Sequence, residues 1–179
     1  MPFPERKYNT AYSGKKSDWI AYPMGGIGAG MICLEGDGTF SHVSLRNRPD
    51  MFNEPAMFSA ICIKAKSGSI ARLAAGPLAK RKIFGCPGSA RGMKGKVYGL
   101  PRFSRSTFKA EFPFAEVSLD DEKLPVSVSL VGWSPFTPPE PDDSSLPAAA
   151  VEYTFTNKTN KPIECVYSFH AQNFMAVDQ

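Results

Sequence analysis

Apolar and polar side chains alternate at every second position along much of this chain, and nowhere is a 3.6-residue period sustained. The clearest stretches lie in the C-terminal third. Val126, Val128 and Leu130 alternate with Ser127 and Ser129. Val151, Tyr153 and Phe155 alternate with Glu152, Thr154 and Thr156. Ile163, Cys165, Tyr167 and Phe169 alternate with Glu164, Ser168 and His170. Each pattern predicts a strand with one face buried. Residues 157–162, Asn-Lys-Thr-Asn-Lys-Pro, form a polar turn between the last two, so those strands are expected to pair as an antiparallel hairpin.

Weaker strand signals precede these. Residues 29–35, 39–45, 56–63, 69–73 and 116–119 read as strands, with turns at Gly36-Asp-Gly38, at Gly68 and at residues 120–123. Residues 39–45 have no cleanly apolar face. Residues 76–107 carry many glycines and basic side chains without a period, which is long for an ordinary connection, and residues 135–147 form a proline-rich, acidic loop. Residues 1–22 are polar and irregular, ending at Tyr22-Pro23, where proline forces extended geometry on its neighbour. The expected organisation is therefore an irregular segment at 1–22 followed by a β domain at 23–179. The apolar run at 173–177 is closed by no polar tail, so the outer strand is expected to continue into sheet partners that this sequence does not supply. The fold class is all-β.

Composition agrees. With 42% hydrophobic and 21% charged residues, the 179-residue chain suits a folded domain or part of a larger one. Its 15 glycines, 16 prolines and 13 phenylalanines favour turns and short strands over long helices. No stretch is apolar for long enough to span a bilayer, and the N-terminus lacks the apolar core of a secretory signal. Cys33, Cys62, Cys86 and Cys165 form no Cys-x-x-Cys pair and have no histidine at ligand spacing, so no metal site is expected. Three of them, Cys33, Cys62 and Cys165, sit in apolar runs where a reduced cysteine is a small buried hydrophobe. The expected location is cytoplasmic.

Charge changes the picture in one place. No acidic residue lies between Glu54 and Glu111, while Lys64, Lys66, Arg72, Lys80, Arg81, Lys82, Arg91, Lys94, Lys96, Arg102, Arg105 and Lys109 all do. Such a run suits either an anion-binding surface or a solvated loop that meets an acidic partner domain. No nucleic-acid motif accompanies it, and nucleic acid is not an expected partner.

Candidate chemistry is sparse. Gly25-Gly-Ile-Gly-Ala-Gly30 lacks the G-x-G-x-x-G spacing and is followed by a strand, so it reads as a tight turn where backbone meets backbone, not as a nucleotide cradle. His42 and His170 sit within strands and read as structural. No G-x-S-x-G elbow occurs, and the sequon Asn157-Lys-Thr159 reads as a turn. Asp50 with Glu54, and Asp142 with Asp143, are the carboxylate pairs a glycosidase would need, but both sit in loops where turn roles are commoner. No cofactor is implied.

Several stretches, in collinear order from about Tyr12 to Met175, resemble one family. Ile20-Ala-Tyr-Pro-Met-Gly-Gly-Ile-Gly-Ala-Gly30 is similar to the Pro-Leu-Gly-Gly-Ile-Gly-x-Gly opening of the N-terminal domain of glycoside hydrolase family 116, the β-glucosidases that include the non-lysosomal glucosylceramidase. Trp133-Ser-Pro135 with the later Asp143-Ser-Ser-Leu-Pro147, and residues 148–173 with their Phe-Thr-Asn-Lys-Thr turn, resemble the segments that follow there. Residues 41–49, 82–85 and 98–103 look like the form taken in bacterial members.

The resemblance implies an antiparallel, supersandwich-like β-sandwich packed on a helical (α/α)6 barrel. That barrel, absent from this sequence, would carry the catalytic glutamate and aspartate of a retaining β-glycosidase, so no residue of this chain is expected to be catalytic. Carbohydrate would be met through the parent enzyme. Trp133 and Tyr98 are candidates to stack on a sugar, and Arg48, Asp50, Asn53 and Arg102 to hydrogen-bond its hydroxyls. The competing reading for these residues is that they lock a domain interface. For the whole chain, the alternative is a stand-alone carbohydrate-binding or protein-interaction sandwich.

Overall fold

Among the described residues, the two-residue alternation is realised as eleven strands in three antiparallel sheets. The computed structural model describes residues 7–50, 52–64, 68–84 and 97–175. The first sheet has five strands in the order β1 (Tyr12–Ser13), β7 (Arg105–Glu111), β8 (Phe114–Asp120), β9 (Val126–Trp133) and β10 (Ala150–Asn157). The second has β11 (Glu164–Ala171), β5 (Met57–Lys64) and β6 (Ile70–Leu73). The third has β2 (Ala21–Met24), β3 (Gly30–Glu35) and β4 (Phe40–Leu45). Helix is confined to short pieces: a 3-10 segment at Gly14–Trp19, α1 (Lys80–Phe84) and α2 (Pro141–Ser144).

One core joins the sheets. The five-stranded sheet contributes Phe108, Ala115, Val117, Leu119, Val126, Val128 and Leu130, and the two smaller sheets answer with Met24, Leu34, Phe40, Met57, Ile61 and Ile63. Inward and outward positions alternate as the sequence requires, with Val117 and Leu119 buried and Glu116 and Ser118 exposed on β8. Leu34, Val117 and Leu130 are wholly buried, and each such side chain contributes roughly 1.5–3 kcal/mol by leaving water. The architecture is an all-β antiparallel sandwich, in agreement with the sequence reading.

The expected hairpin at 150–171 does not form. β10 pairs with β9, placing Tyr153 opposite Leu130, whereas β11 pairs with β5, placing Tyr167 opposite Ile61. The polar turn between them crosses from one sheet to the other. Alternation says which face of a strand is buried. Two strands facing one another across a core alternate just as two neighbours do. β10 and β11 meet through side chains instead, with Tyr167 centred 5.4 Å from Tyr153 and 5.3 Å from Phe155.

Other departures have local causes. β4 lacks a clean face because it is bulged: the register slips between Met31–Ser44 and Cys33–Ser41, and His42 takes φ 50°. The aperiodic stretch at 76–107 contains α1 and the start of β7. The division drawn at residue 22 falls inside β2, and Tyr12 packs on the core through β1. Cys33 is buried as expected, and its thiol is pushed up to about 11 by burial and the nearby Glu35. Cys165 is exposed on β11, and Cys86 lies outside the described residues.

Leu130→Ala should lower the free energy of unfolding by about 2–5 kcal/mol in urea titration. A loss below about 1 kcal/mol would mean that β9 does not line the common core.

Candidate functional site

Two assemblies concentrate the unusual residues. The first is the glycine-rich turn between β2 and β3. Gly25, Gly28 and Gly30 adopt φ of 137°, 73° and 128°, which side chains rarely allow. Crowding is equally strict: a Cβ on Gly26 would strike the Leu146 carbonyl, and one on Gly30 the Ser44 carbonyl. This is the close backbone approach read from the motif. The turn holds the loop at 134–149 in place, since the Ile27 amide donates to the Ser144 carbonyl (2.9 Å) and the Gly25 amide to Ser134 Oγ (3.0 Å). Buried Ser144 continues the link by accepting from the Thr137 amide at 3.0 Å.

Beside this junction lies an open cleft of about 370 Å³, walled by Met24, Met31, Leu45, Pro147 and Phe174. Among the described residues lining it, Arg46 is the only ionisable one. Exposed apolar side chains surround the opening: Ile27, Leu146 and Met175 are each more than half exposed. An aromatic strip continues from it, comprising Phe112, Phe114, Trp133 and Phe136, with Phe112 and Phe136 edge to face at 4.9 Å.

The six residues singled out from the sequence are not brought together. Arg48 is exposed, and its backbone bridges to Leu45, which lines the cleft. Asp50 closes its own loop by accepting from the amides of Phe52 and Asn53 at 3.0 and 3.1 Å. Asn53 donates to the Val43 carbonyl at 2.9 Å. Trp133 ends β9 beside Phe114 and Ala150, on the outer face of the sheet. Tyr98 and Arg102 lie elsewhere, flanking the second assembly.

That second assembly is a buried ionic cluster that sequence reading missed. Lys82, 2% exposed, places Nζ 3.0 Å from Asp37 Oδ2 and 3.6 Å from Glu35 Oε2, and donates to Thr39 Oγ1 at 3.0 Å. Arg102 approaches the same Asp37 oxygen at 3.7 Å. Two of its nitrogens, Nε and Nη2, are buried without a hydrogen-bond partner among the described residues. Burial drives the Asp37 carboxyl upward, but Lys82, Thr39 and Arg102 outweigh it and hold the group below its ordinary value. Burial lowers the pKa of Arg102, with Asp37 opposing. Ser41 links Glu35 to His42 Nδ1 by donating to the Glu35 carboxylate. No short-range pattern connects the turn residue Asp37 to a lysine and an arginine far along the chain, so only the tertiary fold exposes the cluster.

The cluster also revises the reading of the basic run. Lys82 and Arg102 are neutralised internally, Arg105 pairs with Asp120 and Glu122, Lys109 with Glu111, and Lys64 with Glu164. The answering acids lie in the same domain. Lys66, Arg91, Lys94 and Lys96 lie outside the described residues.

A family model described as beta-glucosidase 2, glycosyl-hydrolase family 116 N-term, matches residues 21–179. The chain belongs to glycoside hydrolase family 116, in its N-terminal domain. No curated protein matches it. Asp37 and Glu35 are buried in the ionic cluster, Asp142 and Asp143 are exposed in the first turn of α2, and none lines the cleft. No group of three metal-ligating side chains occurs among the described residues.

Gly26→Ala should cost about 1–3 kcal/mol in chemical denaturation, because the clashing partner is backbone that cannot swing away. Lys82→Met should cost more, about 3–5 kcal/mol, by leaving the Asp37 and Glu35 carboxylates buried without their ammonium. A carboxyl with a depressed folded pKa stabilises above its unfolded value and loses that contribution as pH falls through the folded one. The urea midpoint should therefore drop as pH is lowered below about 4, and Asp37→Asn should flatten that part of the profile.

Proposed function

We propose that this chain is the non-catalytic β-sandwich of a retaining β-glycosidase, and that its glycine-rich end is the face that packs on a separate helical (α/α)6 domain. Retaining cleavage needs two carboxyl groups roughly 5–5.5 Å apart across the scissile bond. No carboxylate is among the described residues lining the cleft at the glycine-rich end, which supports a reading in which both catalytic groups belong to the helical domain. The single observation that carries the docking role is the exposed apolar surface built there from Ile27, Leu146, Met175 and the aromatic strip. Contiguous apolar surface held by fixed loops is what an interdomain contact requires.

Within this reading Arg48 and Trp133 border the sugar, since both remain exposed. Asp50 and Asn53 shape the loop carrying Arg48, and Arg102 with Tyr98 stabilises the opposite part of the domain. A stand-alone sugar-binding sandwich is the second reading, favoured by the exposed ring of Trp133 beside Phe114.

On an aryl β-glucoside, the chain alone should give no turnover. Joined to the helical domain of a family 116 enzyme, it should support hydrolysis. Leu146→Lys should reduce that activity at least about tenfold without shifting the unfolding midpoint of the isolated chain. Turnover by the chain alone would overturn the assignment. Millimolar or tighter binding of glucosides by the chain alone, lost in Trp133→Ala, would favour the second reading.

A further inference from the structure

A second cleft, of about 580 Å³, opens at the far end of the five-stranded sheet from the glycine-rich turn. Arg105, at this cleft, begins β7, and Glu111 ends it opposite Phe114 of the aromatic strip, so roughly 20 Å of strand lies between them. The walls of the cleft are the 3-10 segment at Gly14–Trp19, the residues leading into α1, and the start of β7. Each is fixed from behind. A Cβ on Gly36 would strike the Ser17 carbonyl, and the Gly36 amide donates to the Ile20 carbonyl at 3.3 Å, which presses the 3-10 segment on the β3–β4 turn. The Gly76 amide donates to the Asp37 carbonyl at 2.7 Å, and Lys82 of α1 reaches the Asp37 carboxylate, so the second wall rests on the same turn. Pairing with β8 holds the third. The cleft is therefore preformed, and its volume falls within the ~300–1,000 Å³ of small-molecule sites.

An aromatic plate and hydroxyl groups line it. Trp19 is 76% exposed at the end of the 3-10 wall. Ser13 and Thr107, both exposed, lie opposite each other across β1 and β7, which sets their hydroxyls on one face. Charge is mixed rather than uniformly positive. Arg105 is engaged by Asp120 and Glu122 at 2.6 Å each, and Asp18 lines the same cleft as Lys15 and Lys80. A carboxylate among the lining groups opposes an anionic ligand, whereas a ring beside hydroxyls suits a neutral polyol. An indole covers the apolar C–H face of a pyranose, and serine and threonine both donate to and accept from its hydroxyls. We propose that this cleft binds a short neutral oligosaccharide, with Trp19 stacked on one ring and Ser13, Thr107, Lys15 and Lys80 hydrogen-bonded to its hydroxyls. The site shares no lining residue with the glycine-rich cleft, so it stands whether or not that end docks on a helical domain.

The chain has 2 tryptophans, Trp19 and Trp133, so nitrogen–proton NMR follows each indole separately. Titration with cellotetraose should move the indole signal that is missing in Trp19→Phe and leave the Trp133 signal in place, with a dissociation constant of about 1 mM or below. Backbone amide shifts around the cleft then report the variants. Trp19→Ala should raise the constant at least about tenfold, and Trp19→Phe should restore part of the loss. Thr107→Val, at an exposed position, should raise it about threefold without changing the unfolding midpoint. Trp133→Ala should leave binding as it is. Inorganic phosphate should not compete. Movement of the Trp133 signal in place of Trp19 would overturn the proposal by putting the sugar on the other exposed ring. Displacement by phosphate would overturn it in favour of an anion site, as would the absence of any shift at about 10 mM cellotetraose.

Discussion

Backbone pressed on backbone is the constraint that organises one end of this domain. At Gly26 and Gly30 the chain passes so close to the Leu146 and Ser44 carbonyls that no side chain fits. That contact gathers segments from four distant parts of the sequence, 24–32, 44–46, 147–149 and 174–175, around one cleft. Hydrogen bonds from Gly25 and Ile27 then hold the proline-rich loop, so its exposed Leu146 is presented by a fixed frame. A preformed apolar surface loses little entropy on docking, which is why rigid loops suit an interdomain face.

The ionic cluster does comparable work away from that end. Asp37, on the β3–β4 turn, takes charge contacts from Lys82 on α1 and from Arg102 just before β7, so one carboxylate ties three separate segments together. Buried ion pairs of this kind add little net stability, yet losing one partner is costly, because it strands the others in a low-dielectric interior. Together with the surface pairs of Lys64, Arg105 and Lys109, the cluster engages five of the twelve basic side chains of the run between Glu54 and Glu111.

How much was legible in the sequence depended on the range of the interaction. The strand at 126–133 could be read directly, because burial of Val126, Val128 and Leu130 imposes a period of two. The glycine-rich turn was legible for a similar reason, since its steric demand selects a residue type locally. The partners of β10 and β11 were not legible: their alternation is the same whether they neighbour each other or face each other across a core. Nor was the Asp37 cluster, whose members are joined only through the fold. The burial of Arg102 was not legible either, because Asp37 reaches it only through the fold.

The chain is the N-terminal sandwich of a family 116 protein, for which we propose a docking face and a helical partner that carries the reaction's carboxylates. Hydrogen exchange measured by mass spectrometry tests that division most directly, comparing the chain alone with the chain joined to a family 116 helical domain. The account predicts slower exchange in the joined protein at residues 25–30, 112–114 and 134–149, with the amides of β5 and β6 unchanged. Protection confined to other surfaces, with the glycine-rich end exchanging as fast as before, would contradict it.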